Sequence, residues 1–98
     1  MDFKNILLVM LLLSHSAYAD APCASDQLRF SFRNIDLKAA FAILADFSGN
    51  KIVIDPSITW SGPVNFDCTA WHKVAQDLAK QHNLILEIKH GTLYVSQK

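Results

Sequence analysis

The sequence predicts an α+β domain with the element order βαββαββ. Two observations carry this expectation. Apolar residues recur at helical spacing in two stretches, near residues 37–47 and 71–82. Short runs of alternating or β-branched residues stand on both sides of each stretch, so strand–helix–strand occurs twice.

The elements follow in order. Leu28-Arg29-Phe30-Ser31-Phe32-Arg33 alternates apolar and polar, which predicts a half-buried strand with Leu28, Phe30 and Phe32 inward. Asn34-Ile35-Asp36 breaks the alternation, and Asp36 is a good N-cap because its carboxylate can accept from the free amides of the next turn. Leu37, Ala40, Phe41, Leu44 and Phe47 form the core stripe of the first helix. Ser48-Gly49-Asn50 ends it, with Gly49 able to turn left-handed. Lys51-Ile52-Val53-Ile54 is a short β-branched strand, stopped by Asp55-Pro56-Ser57. Ile58 to Pro63 is a loop. Val64-Asn65-Phe66-Asp67-Cys68 alternates again. Thr69 is the expected cap of a second helix, whose stripe is Trp71, Val74, Ala75, Leu78 and His82. Leu84–Ile88 and Thr92–Ser96 are the last two strands, joined by His90-Gly91 as a two-residue hairpin turn.

The first residues read as a leader. Ile6 to Leu13 is an unbroken apolar run after Lys4, followed by Ser14 to Ala19 with an A-x-A ending. This is the layout of a secretory signal peptide, with the cut expected after Ala19. The run is far short of the roughly 20 apolar residues of a membrane span. Asp20-Ala21-Pro22 before Cys23 is not a lipobox, so lipidation is not expected. The chain then divides into residues 1–19 as leader, 20–27 as a polar arm and 28–96 as the domain. Cys23 and Cys68 both lie after the cut. Two cysteines in a small exported domain point to one disulfide, worth about 4 kcal/mol by the chain-entropy argument. The alternative is two free thiols, or Cys68 packed as a small apolar residue.

Composition excludes several functions. Lys+Arg and Asp+Glu number nine each in 98 residues, so no basic stripe for nucleic acid is available. Hydrophobic residues make up 51% against 18% charged, too apolar for a disordered chain. Catalytic constellations are missing. His72, His82 and His90 lack the spacing of a metal pair on one helix face. Cys23 and Cys68 lack C-x-x-C spacing for dithiol exchange. Glu87 is the one glutamate, and the aspartates from Asp36 to Asp77 fall at caps, turns or exposed helix positions. The expectation is a protein that is not an enzyme and needs no metal, cofactor or small-molecule substrate. Trp60, beside Gly62 and Pro63, is either a lid on the core or a contact for a partner.

The ordered set of residues resembles a known family. The run from Leu28 to Ile58 carries an alternating strand, an Asn-Ile-Asp turn, a helix with Ile43-Leu44-Ala45, Gly49, then Ile52-Val53-Ile54-Asp55-Pro56. Val64-Asn65-Phe66, Trp71, Ala75, Leu78, Asn83-Leu84 and Gly91-Thr92-Leu93-Tyr94-Val95 continue it. This is similar to the secretin and TonB N-terminus short (STN) domain, the N-zero domain of secretins, over residues 28–96. The resemblance implies two helices sandwiched between a three-stranded and a two-stranded sheet. It implies a periplasmic, non-enzymatic module that docks on a protein of the cell envelope, in type II secretion or type IV pilus machines. Signalling through an anti-sigma regulator, a type IV secretion outer-membrane-core subunit and self-association into rings are the alternatives. Only Gln97 and Lys98 follow the last strand, which predicts a free-standing docking domain without a pore.

An exposed strand edge or a helix flank is the expected docking surface. The candidate residues are Arg29, Ser31 and Arg33 on the outward face of the first strand, Asn65 and Asp67 on that of the third, and Trp60. The alternative for each is a plain solvated position. Antiparallel pairing of strands 28–33 and 64–68 would bring Cys23 beside Cys68.

Overall fold

The computed structural model describes residues 22–98; the expected leader, residues 1–19, lies outside the described residues. The elements are β1 (Gln27–Asp36), α1 (Leu37–Ser48), β2 (Lys51–Ile54), β3 (Ser61–Ala70), α2 (Trp71–Gln81), β4 (Leu84–Lys89) and β5 (Thr92–Gln97). The order is βαββαββ, as the sequence predicts. β1 and β3 form an antiparallel two-stranded sheet, and β2, β5 and β4 form a three-stranded sheet in that spatial order. β2 runs parallel to β5, and β4 runs antiparallel to it. α1 touches β1 and β2, α2 touches β3 and β4, and the helices touch each other. Both helices therefore lie between the two sheets.

The core fills that layer. Phe30, Leu37, Phe41, Leu44, Val74, Leu78 and Leu93 are fully buried. Each of these residues would forfeit roughly 1.5–3 kcal/mol if left in water.

Local chemistry sets the element ends. Asp36 Oδ1 accepts from the Lys38 amide at 3.2 Å and caps α1. At the other end Gly49 has φ +75°. Its amide donates to the Asp46 carbonyl at 3.2 Å, and the Asn50 amide donates to the Ala45 carbonyl at 2.8 Å. This pair of bonds is a Schellman closure, and it needs a left-handed residue. His90 and Gly91 have φ +52° and +70°, the type I′ turn that suits a two-residue hairpin.

Four expectations need correction. Thr69 does not cap α2. It stays in the β1–β3 ladder opposite Leu28, and its hydroxyl donates to the Asp67 carbonyl at 3.1 Å. The Trp71 amide, first in α2, instead donates to the Asp26 carbonyl at 3.0 Å. Phe32 is 37% exposed although it shares a face with its buried ladder partner Val64; its ring meets the Phe30 ring edge-on at 5.0 Å. Phe47 is 43% exposed: α1 buries the stripe Leu37, Ala40, Phe41, Leu44 and Ala45, and Phe47 lies on its flank. Both long strands extend further than their alternation suggests. Register shifts at Arg33–Asn34 on β1 and at Asp67–Cys68 on β3 insert extra residues, and the first returns Ile35 to the core.

Candidate docking surfaces

The disulfide anchors the arm to the two-stranded sheet. Gln27 pairs with Ala70 and Leu28 with Thr69, so the start of β1 lies beside the end of β3. Cys23 and Cys68 are disulfide-bonded with their Cα atoms 5.1 Å apart, well within bonding range. Cys68 sits in the β3 bulge at φ +44°, a conformation a non-glycine residue adopts only when its surroundings hold it.

Five of the six expected surface residues come together. Ser31 pairs directly with Asn65, which puts both on one face. Arg29 Nε donates to Asp67 Oδ1 at 3.1 Å across the bulge, with the two side chains 57% and 80% exposed. Arg33 stands exposed in the second bulge. The outward face of the β1–β3 sheet is thus a polar strip with both charge signs. An ion pair this exposed adds at most about 1 kcal/mol to stability, so the strip costs the fold little if it is used for contact.

Trp60 lies apart from that strip. It is half-buried against the core, and its ring centroid is 4.2 Å from that of His82 at the end of α2. Its carbonyl accepts from the Leu37 amide at 2.9 Å, which fixes the start of α1. A β-carbon on Gly62 would collide with the Trp60 ring.

A cleft of about 300 Å³ runs beside Trp60 and His82, with Ser57 and Gln97 on its wall. Ser57 is already committed. Its amide and hydroxyl both donate to Asp55 Oδ1, at 2.9 and 2.8 Å, and its hydroxyl accepts from Gln97 Nε2 at 3.0 Å. The Ser57 amide, then its hydroxyl, and to a smaller extent the Gln97 backbone amide hold the Asp55 carboxyl below the usual aspartate range. This network fastens the loop after β2 to β5. It is a structural clasp that commits the Ser57 hydroxyl on both sides. Among the described residues no group of three or more His, Cys, Asp or Glu could hold a metal ion. No helix among them is long and apolar enough to cross a membrane.

Two surface features escape the sequence reading. α1 exposes Ile43 and Phe47, four residues apart on one flank, at 39% and 43%. A second groove, of about 450 Å³, lies between α2 and β4. The signal for the first was present: α1 is apolar nearly all round, with Lys38 and Asp46 as its only charges.

No protein-family model matches the chain. A protein of Pseudomonas phage Pf3 described as an assembly protein, ORF430, is 30% identical over 92 residues. That match takes in 94% of this chain and 20% of the phage protein, so the chain spans about a fifth of that relative's length. Among solved structures, the N0 domain of the type II secretin from enterotoxigenic Escherichia coli superimposes with a TM-score of 0.65. The superposition covers 76% of this chain and 99% of that domain at 12% identity. The chain thus has the fold of a secretin N0 domain, and its sequence is similar to part of a phage assembly protein.

Proposed function

We propose that the chain is a docking module of the cell envelope, without enzymatic activity, that binds a protein component of a secretion, pilus or phage-type assembly machine. The observation that carries this reading is the pairing of the two likenesses. The fold matches a whole secretin N0 domain, and the sequence matches a segment of an assembly protein. The polar β1–β3 face, with Arg29, Ser31, Arg33, Asn65 and Asp67, is the first surface to test. The Cys23–Cys68 disulfide suits an oxidising compartment, which favours the periplasm. Export by a cleaved leader of residues 1–19 belongs to the same proposal.

The test is affinity capture of the tagged protein from a periplasmic extract, with mass spectrometry of what it retains. Enrichment of secretion, pilus or phage-assembly components supports the reading. Recovery of a membrane regulator of a sigma factor would shift it to signalling. Recovery of neither contradicts it.

A further inference from the structure

We propose that the groove between α2 and the outer edge of β4 takes an extended, acidic peptide segment of the partner as a fourth strand of the β2–β5–β4 sheet; a docking role for the chain is the premise.

β4 is an outer strand, and β5 is its ladder partner among the described residues. The β4–β5 register runs unbroken from Leu84↔Gln97 to Lys89↔Thr92. A regular edge of six residues is a template for another strand. The β1–β3 sheet is a poorer template, because bulges interrupt both of its strands.

Beside this edge the groove supplies side-chain pockets. Its floor is formed by Leu84, Leu86 and Ile88, and its helical wall by Ala79 and Lys80. Leu84 is buried, Leu86 is half-buried and Ile88 is 41% exposed. α2 therefore covers the start of β4 and leaves its end open. An incoming strand with apolar side chains at alternate positions would cover the remainder.

Charge selects the occupant. Lys80 and Lys98 line the groove, and no carboxylate side chain does. The nearby acids are directed elsewhere: Asp77 Oδ2 lies 3.6 Å from Lys73, and Glu87 lies 3.9 Å from Lys89. Glu87 also alternates with Leu86 and Ile88, so it stands on the opposite face of the sheet. A second copy of the chain would set Lys80 against Lys80, while Lys98 is offset by its own terminal carboxylate in the 98-residue protein. An acidic segment would meet Lys80.

The test is selection of a random dodecapeptide library displayed on phage against protein produced from the full 98-residue sequence. Binding of the enriched peptides is then measured on the native protein and on Lys80→Glu, with amide exchange followed by NMR. The expected peptides alternate apolar and polar residues and carry acidic groups. Lys80→Glu should weaken them about tenfold or more, the worth of about one well-placed charge contact. Amides of β4 should exchange more slowly in the complex. No enrichment, enrichment of basic peptides, or equal affinity for Lys80→Glu would overturn the proposal. Protection of β4 without peptide, together with dimers in sedimentation, would overturn it in favour of self-pairing. Peptide protection confined to β1 and β3 would overturn this site and leave the docking role standing.

Discussion

The amide of Trp71 donates to the carbonyl of Asp26 at 3.0 Å, so the first turn of α2 is capped by the N-terminal arm. α2 has no side-chain cap of its own. Asp26 lies three positions after Cys23, and the disulfide to Cys68 holds that arm in place. The bond therefore closes a long loop and also secures a helix start.

Replacing both cysteines should show both effects. Cys23→Ser with Cys68→Ser is expected to lower stability by about 2–5 kcal/mol in urea denaturation. Amide exchange at Trp71 should accelerate beyond the global change, because its acceptor is released. Equal stability of the two proteins would contradict the clamp.

Gly62 is required by the ring above it. Gly62→Ala places a β-carbon into Trp60 and should cost about 1–3 kcal/mol, the usual cost of overpacking. In a Trp60→Ala background the same change should cost much less. The double-mutant cycle isolates the clash from any effect on the backbone.

Gly49 is required by conformation alone. Nothing lies within 4 Å of a β-carbon there, yet its φ is +75°. Gly49→Ala should therefore cost about 1–2 kcal/mol, the left-handed penalty of an ordinary residue, with no packing contribution. Gly49→Asn should recover part of it, since asparagine tolerates that region.

Asp55 makes stability depend on acid. Its folded pKa lies below the usual aspartate value because the Ser57 amide and hydroxyl donate to the carboxylate, with a smaller contribution from the Gln97 backbone amide. The charged form is thus favoured by folding. Its contribution is complete above the unfolded value of about 3.9 and is lost as pH falls through the lower folded value. Denaturation as a function of pH should therefore show a smaller acid loss for Asp55→Asn than for the native protein. The two profiles should run parallel above about pH 5.

Much of this fold is legible in the residues. The Asp36 cap, the Gly49 stop and the His90-Gly91 turn each rest on a local rule, and each stands where that rule puts it. The disulfide follows from context and from the antiparallel pairing of β1 with β3. The bulges at Arg33–Asn34 and Asp67–Cys68 are not legible, because period-two alternation carries no mark for an extra residue. Thr69 misleads for the same reason: the β3 ladder continues through it, and a tertiary bond from Asp26 replaces the cap. Phe47 misleads because α1 is apolar on several faces, and only the packing of both sheets decides which face is covered. Of the expected surface residues, Ser31 and Asn65 share a face because alternation and direct pairing fix their side, and Arg29 reaches Asp67 across the bulge. Trp60 packs on His82, a contact between residues far apart in sequence.

The docking claim itself is tested most directly by site-specific photo-crosslinking in cells that export the full chain. The crosslinker is placed singly at Ser31, Asn65 and Gln76, all exposed. A discrete adduct with one envelope assembly protein is expected from the β1–β3 face and from the α2 groove. Absence of any protein adduct at all three positions would contradict it.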